Sequence, residues 1–194
     1  MNKKPKIIDN FLPQAAYLGI KQTLIGNSFP WYYNQSVVHE KEDAISNEYQ
    51  FTHIFLKDSL ITSDFFNALI LPFVEIINPI ALIRVKANLI MRSSAPVTHE
   101  WHTDIANFDE GYTAVYYVNT NNGKTLFKTK TADLEAEAET TKVTLLKTKT
   151  MDLEVESVAN RLVVFPSSML HAGVTTTDAK YRTVINFNFI GGNL

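Results

Sequence analysis

The chain has 194 residues, of which 45% are hydrophobic and 20% are charged, and its formal net charge is -2. This composition is typical of one globular domain, and the small net charge gives no reason to expect a nucleic acid or a membrane as partner. The absence of cysteine excludes disulfides, thiolate ligands and cysteine nucleophiles. With no signal-peptide core after the basic N-terminus and no uninterrupted apolar span, we expect a cytoplasmic protein that is not secreted.

Two helices are predicted in the N-terminal part of the chain. The first runs from Pro13 to about Gly26, because apolar residues recur there at helical spacing. The second begins at Ser63, a good N-cap, and ends near Ile77, with Pro72 kinking or dividing it. Extended segments are predicted at 6–11, 29–33 and 50–56, and a loop is predicted at 39–47.

From residue 80 onward the pattern changes to short strands. These strands are predicted at 80–90, 114–119, 161–165 and 183–190. Helices followed by many short strands predict a mainly β protein of the α+β class, with the helices packed outside a β-sandwich or barrel. We expect residues 1–194 to form a single domain.

One segment occurs twice in the sequence. Residues 125–137 recur nineteen positions later as residues 144–156, and ten of the thirteen positions are identical. Two copies are too few for a solenoid, so we interpret residues 124–157 as a duplicated hairpin or insert at the surface. A lid over a functional site is the alternative interpretation.

Four residues with the chemistry of a metal site lie far apart in the chain. His102 and Asp104 form a His-x-Asp pair, and at this spacing on a strand both side chains point to one face. His171 follows much later, and Arg182 lies eleven positions after it. Two imidazoles and one carboxylate match the facial triad of non-haem Fe(II) oxygenases, and an arginine can bind a carboxylate through two hydrogen bonds.

The remaining histidines are weaker candidates. His99 and His102 have a spacing that could bind zinc on a helix, but the surrounding residues favour a strand and do not form His-Glu-x-x-His. We therefore expect His99 near the mouth of the site and not on the metal. His39 and His53 are expected to be structural.

Three stretches of the sequence, 83–104, 113–123 and 158–182, resemble the Fe(II)/2-oxoglutarate-dependent dioxygenases of the prolyl 4-hydroxylase type. Within that family the sequence is most similar to the short members encoded by cyanophages. The resemblance implies a double-stranded β-helix, which is a cupin-like jelly roll. It also implies that His102, Asp104 and His171 bind Fe(II).

The same resemblance implies the other cofactors and site residues. Arg182 would bind 2-oxoglutarate with help from Tyr117, O2 would be the second cosubstrate, and ascorbate would serve as an accessory reductant. Where the family often has a tyrosine this chain has Ile90, and Asn88 on the same strand face is the residue expected to supply a polar contact. The residues expected to line a substrate pocket are His99, Trp101, Asn186 and Asn188.

The function implied by the resemblance is hydroxylation of a C–H bond with decarboxylation of 2-oxoglutarate to succinate. The expected substrate is a prolyl or other residue in a peptide or protein. Two alternatives remain open at this point. One is a non-catalytic jelly-roll binding module with a vestigial metal site, and the other is a zinc hydrolase that uses the same triad.

Overall fold

The computed structural model describes residues 4–35, 49–104, 111–131 and 149–193, which form eleven strands and three helices. In chain order these are β1 (Lys6–Ile8), α1 (Gln14–Ile25), β2 (Tyr32–Asn34), β3 (Gln50–Lys57), β4 (Leu60–Ile61), α2 (Phe66–Leu69), α3 (Leu71–Ile77), β5 (Ala81–Met91), β6 (Gly111–Tyr117), β7 (Asn121–Thr131), β8 (Lys149–Ser157), β9 (Arg161–Pro166), β10 (His171–Gly173) and β11 (Tyr181–Ile190). None of the described helices is long and apolar enough to cross a bilayer. The predicted loop at 39–47, with His39, lies outside the described residues.

The helices agree with the sequence prediction except at one end. Helix α1 follows Pro13 and stops before Gly26, as predicted. The second predicted helix is divided into α2 and α3, with Pro72 in the first turn of α3. The prediction that Ser63 is its N-cap is wrong, because α2 begins at Phe66 and its N-cap is Phe65. The Ser63 Oγ accepts a hydrogen bond from the Phe65 N–H at 3.2 Å and lies 2.7 Å from His53 Nε2.

Two antiparallel sheets form the body of the protein. The large sheet has the order β1-β9-β6-β11-β5-β3-β2, with β4 beside β3, and the small sheet has the order β10-β7-β8. The strands predicted from residue 50 onward are confirmed as β3, β5, β6, β9 and β11, with ends shifted by up to three residues. Strands that are distant in the chain are neighbours in these sheets, as β1 and β9 are in the large sheet and β7 and β10 are in the small sheet.

The large sheet uses its two faces differently, because side chains alternate along each strand. Val85, Tyr116 and Phe187 belong to the face that packs against the helices. Val115 and its neighbours on the opposite face pack against Phe127 of the small sheet. The even-numbered residues from 84 to 90 in β5 and from 182 to 188 in β11 therefore point to the space between the sheets.

The two copies of the repeated segment pair with each other in the β7–β8 hairpin. Thr125 lies opposite Val155 and Lys128 lies opposite Asp152, so the first half of one copy pairs with the second half of the other. Residues 132–148, which join these strands, lie outside the described residues. In a chain with a single copy, the same two halves would pair with only four residues between them.

Deleting residues 132–150 should therefore leave the fold intact. The deletion removes one repeat length and leaves four residues between Lys128 and Asp152, which is a common hairpin loop length. Because a shorter loop costs less closure entropy, we expect the Tm in a circular dichroism melt to fall by no more than about 3 °C. A non-cooperative melt would contradict the interpretation as a duplicated hairpin.

Asn160 fastens the N-terminal segment to the large sheet. Its Oδ1 accepts hydrogen bonds from the Leu12 N–H and the Tyr116 hydroxyl, and its Nδ2 donates to the Leu12 carbonyl, each at 2.9 Å. Its backbone has a φ of 62°, in the left-handed region that asparagine and glycine tolerate best. The residue is buried, so its loss leaves several polar groups without partners.

The variant Asn160→Ala should lower the free energy of unfolding by about 3–4 kcal/mol, because it removes buried hydrogen bonds and strains the backbone. Asn160→Gly removes the same side chain but keeps the left-handed conformation, so it should be about 1 kcal/mol less destabilised. Urea denaturation of both variants measures each contribution. Losses below about 1 kcal/mol in both variants would show that this side chain does not fasten the segment.

Candidate metal centre

His102, Asp104 and His171 converge at one point of the structure. The backbones of His102 and His171 face each other, and each N–H donates to the other residue's carbonyl at 3.0 Å. One ligand atom from each of the three side chains lies within 4.8 Å of the other two. His171 Nε2 is 3.7 Å from Asp104 Oδ2. Two imidazoles and a carboxylate are thus close enough to bind one ion.

The backbone around these residues differs from the strand predicted for it. His102 lies in an isolated β-bridge and not within a regular strand, and Asp104 lies in a bend. His171 begins β10, after a turn that follows β9. Pairing between segments 98–104 and 167–174 still brings the side chains together, because Asp104 N–H donates to the Ser167 carbonyl at 3.2 Å.

Hydrogen bonds to backbone carbonyls orient both imidazole rings. His102 Nδ1 donates to the Glu100 carbonyl and His171 Nδ1 donates to the Met169 carbonyl, each at 3.0 Å. Because each Nδ1 carries its proton, each Nε2 has a free lone pair, which is the arrangement usual for histidine metal ligands. Burial lowers the pKa of His171, with Asp104 acting in the opposite direction, so the neutral ring is favoured.

A chain of polar groups holds Asp104. The Thr113 hydroxyl donates to Asp104 Oδ2 at 2.7 Å, and Asn188 Nδ2 donates to the Thr113 oxygen at 3.0 Å. Asn188 is 2% exposed and is absent from the described residues that line the cavity beside the metal centre. The structure thus places Asn188 behind Asp104, whereas the sequence predicted it in a substrate pocket.

Thr113→Val should weaken metal binding by about 10- to 100-fold, because the carboxylate loses the group that orients it. The change keeps the volume of the side chain, so the fold should survive. Thr113→Ser restores the hydroxyl and should recover most of the affinity. Competition against a chelating dye measures both variants, and wild-type affinity in Thr113→Val would contradict a role for this hydroxyl.

A cavity of about 150 Å³ adjoins the three side chains, and Arg182 forms part of its wall. Arg182 is 4% exposed; its Nε donates to Ser157 Oγ and its Nη2 donates to Thr125 Oγ1, both at 3.0 Å. No carboxylate in the described part of the chain pairs with it, and burial lowers the pKa of the guanidinium. Because a guanidinium has five N–H donors, others remain for an anion in the cavity.

Thr125 is a cavity residue that the sequence analysis missed. Its hydroxyl oxygen accepts hydrogen bonds from the Tyr117 hydroxyl at 2.7 Å and from Arg182. Its own proton is therefore free to donate into the cavity. Tyr117 is fully buried and lies behind Thr125 and Arg182, with the guanidinium 5.5 Å from the centre of its ring. Burial raises the pKa of the Tyr117 phenol, so it remains a neutral donor.

The other predicted site residues have different positions. Asn88, Asn186 and His99 line the cavity, and the Asn88 Oδ1 has no hydrogen-bond partner among the described residues. His99 is 4% exposed and therefore lies inside the protein and not at an exposed mouth.

Trp101 is absent from the described cavity lining, and Lys128 Nζ lies 4.6 Å from the centre of the Trp101 ring. His53 is buried among aromatic rings, as expected for a structural histidine.

Gly123 allows the backbone to approach Arg182 closely. A Cβ at this position would lie 2.8 Å from Arg182 Cδ and 2.8 Å from the Val174 carbonyl oxygen. Any other residue would displace the guanidinium or the backbone. The glycine thus contributes to the position of Arg182, a role that the sequence analysis did not predict.

No protein-family model matches the sequence, and no curated protein matches it. Solved structures do match over nearly the whole chain. SnoN, a non-heme alpha ketoglutarate dependent epimerase from nogalamycin biosynthesis, is 12% identical with a TM-score of 0.60 and covers 96% of this chain and 76% of its own. A prolyl hydroxylase from Trichoplax adhaerens, in complex with a hypoxia inducible factor peptide fragment, is 14% identical with a TM-score of 0.60, over 96% and 83%. A Pseudomonas putida prolyl-4-hydroxylase is 14% identical with a TM-score of 0.57, over 96% and 92%.

These similarities show the fold of the chain. It is mainly antiparallel β-sheet with few helices, in the jelly-roll or double-stranded β-helix form of the 2-oxoglutarate oxygenases. The predicted fold class is therefore confirmed.

Proposed function

We propose that the chain is an Fe(II)- and 2-oxoglutarate-dependent oxygenase that hydroxylates a C–H bond and converts 2-oxoglutarate to succinate. The observation that supports this most strongly is the convergence of His102, Asp104 and His171 beside the buried Arg182. The neighbour SnoN forms a complex with Fe3+, alpha ketoglutarate and nogalamycin RO. The triad and Arg182 are the side chains of this chain that would bind the same metal and the same cosubstrate.

The donor set fits Fe(II). Two imidazole nitrogens and one carboxylate form the facial triad that leaves open positions for other ligands. His102 and His171 have their Nδ1 atoms bonded to carbonyls, so both Nε2 atoms are available. The chain has no cysteine that could favour zinc in a thiolate site. A zinc hydrolase with a carboxylate as general base would need a second carboxylate, and Asp104 is the sole carboxylate among the described residues that line the cavity.

The cavity also fits 2-oxoglutarate. Arg182 and Thr125 can together donate several hydrogen bonds to the carboxylate that is remote from the metal. Tyr117 holds Thr125 in place through its own hydroxyl. Ile90 and Val184 give the cavity an apolar lining, which suits a methylene chain and excludes water. An acid with two carboxylates would thus neutralise the buried guanidinium.

The protein's own contribution to the reaction is binding and orientation. When bound, Fe(II) with 2-oxoglutarate and O2 supplies the oxidising chemistry. Thr113 and Asn188 keep the Asp104 carboxylate directed at the metal position, and Arg182 fixes the direction of the oxoacid. Ascorbate would maintain the reduced metal.

We propose a peptide or protein as the substrate, with a prolyl residue as the first candidate. One structural neighbour is a prolyl hydroxylase in complex with a peptide fragment, and another is a prolyl-4-hydroxylase. The similarity to these enzymes is the basis for this part of the proposal.

Succinate formation from 2-oxoglutarate tests the proposed activity. The Fe(II)-loaded protein is incubated in air with ascorbate, 2-oxoglutarate and a proline-containing peptide library, and products are identified by mass spectrometry. We expect succinate together with a peptide that has gained one oxygen atom. Hydrolysed peptide without succinate would indicate a hydrolase, and bound peptide without either change would indicate a binding module.

A further inference from the structure

Two basic side chains face the same cavity as the metal centre. Arg84, Lys86, Asn88 and Ile90 occupy every second position of β5, so all four side chains point to the space between the sheets. All four line the cavity, and Arg84 and Lys86 are partly buried.

The strand register shows how far the basic pair lies from Arg182. Arg182 lies opposite Ile90, whereas Asn186 lies opposite Lys86 and Asn188 lies opposite Arg84. The two basic residues therefore lie four and six positions along β5 from the level of Arg182.

Lys86 and Arg84 form a like-charged pair, and Asp104 is the carboxylate in the described part of the chain whose charge acts on Lys86. Neither side chain has a hydrogen bond or an ion pair within the four described ranges of the chain. Burial and, to a smaller extent, the positive charge of Arg84 lower the pKa of Lys86 to about 8, with Asp104 acting in the opposite direction. Because two cations in one partly buried space repel each other, an anion between them would stabilise both.

The charges of the proposed cofactors do not neutralise this pair. The described residues that line the cavity include three permanent or titratable cations, Arg84, Lys86 and Arg182, against one carboxylate, Asp104. A divalent metal adds two positive charges, and 2-oxoglutarate adds two negative charges. Counted over the described residues alone, the loaded site would therefore keep an excess of two positive charges, and the oxoacid already neutralises Arg182.

We propose that Arg84 and Lys86 bind an oxyanion group of the primary substrate, either a carboxylate or a phosphate, and so direct a neighbouring C–H bond to the metal. This inference rests on the proposed function, because it assigns the substrate class of the same site. Lys86 supplies a point charge, and Arg84 supplies a planar fork of donors. An acidic side chain of a peptide and a small free acid share this chemistry.

Nuclear relaxation measures the anion site directly. The protein is loaded with Mn(II) and saturated with 2-oxoglutarate, so that the triad and Arg182 are occupied, and is then titrated with methylphosphonate. Relaxation of the phosphorus nucleus reports binding close to the metal. Lys86→Met and Arg84→Gln are compared with Lys57→Met, which changes an exposed lysine on β3. The affinities for Mn(II) and 2-oxoglutarate are measured in the same samples.

We expect saturable relaxation enhancement in the wild type and in Lys57→Met, with binding at least about tenfold weaker in Lys86→Met and in Arg84→Gln. Enhancement that is absent, or that is unchanged in both cavity variants while 2-oxoglutarate still binds, would overturn the anion site alone. Failure of the wild type to bind 2-oxoglutarate would overturn the proposed function as well.

A second titration identifies the source of the oxyanion. N-acetylglutamate N-methylamide and its glutamine counterpart imitate acidic and neutral residues of a peptide. Tighter binding of the glutamate compound than of methylphosphonate, by at least about tenfold, would indicate an acidic peptide. Binding of methylphosphonate alone would indicate a small phosphorylated acid. Equal binding of the glutamate and glutamine compounds would contradict recognition of charge.

Discussion

Replacing Asp104 by asparagine should weaken Fe(II) binding at least about 100-fold and reduce succinate formation below detection. The amide has the shape of the carboxylate but lacks its negative charge, so one of three metal ligands is lost. Its oxygen can still accept the hydrogen bond from Thr113, which should preserve the local structure. Metal content after dialysis and succinate formation by mass spectrometry measure the two effects.

The matched control is Asp64→Asn, which makes the same chemical change at an exposed position. This variant should bind Fe(II) and form succinate as the wild type does. Asp104→Asn protein that keeps its metal and its turnover would remove Asp104 from the metal centre. Because both variants lose one negative charge, a general charge effect cannot account for a difference between them.

Replacing Arg182 by alanine should weaken 2-oxoglutarate binding by about 2–5 kcal/mol, which is roughly 30-fold or more. The carboxylate of the oxoacid would then be buried without its charged partner. Metal content should remain close to that of the wild type, because Arg182 contacts Ser157 and Thr125 but none of the three ligand residues. Calorimetric titration of the metal-loaded protein under anaerobic conditions measures the affinity.

Two further arginine variants sharpen this result. Arg182→Lys keeps the charge but loses the planar fork, so its affinity should lie between those of the wild type and Arg182→Ala. Arg92→Ala removes an exposed arginine and should leave the affinity unchanged. Unchanged affinity in Arg182→Ala would assign the far carboxylate to another group in the cavity.

The sequence predicts the strands and their faces well, because alternation is a local property. The inward face of β11 follows from Arg182, Val184 and Asn186, and the structure has this face. The same rule applied to β5 shows that Lys86 and Arg84 share the face of Asn88. The sequence therefore predicts that the two basic side chains share this face, but the structure is needed to show that they line a cavity beside the metal centre.

Other features depend on pairing between distant segments and could not be predicted. Thr125 belongs to the repeated segment, and nothing local shows that its hydroxyl meets Tyr117 and Arg182. The local pattern predicts a regular strand at His102, but in the structure His102 pairs with His171 through an isolated β-bridge. Ser63 has the chemistry of an N-cap and its Oγ accepts a hydrogen bond from the Phe65 N–H, but the same hydroxyl also contacts His53 and α2 begins only at Phe66.

Anaerobic addition of 2-oxoglutarate to the Fe(II)-loaded protein tests the central claim most directly. Chelation of the metal by the oxoacid gives a charge-transfer band in the visible range, and zinc cannot produce such a band. We expect one equivalent of 2-oxoglutarate to saturate the band in the wild type, with no band in Asp104→Asn. A colourless wild-type protein that holds Fe(II) and is saturated with 2-oxoglutarate would contradict the assignment of the site.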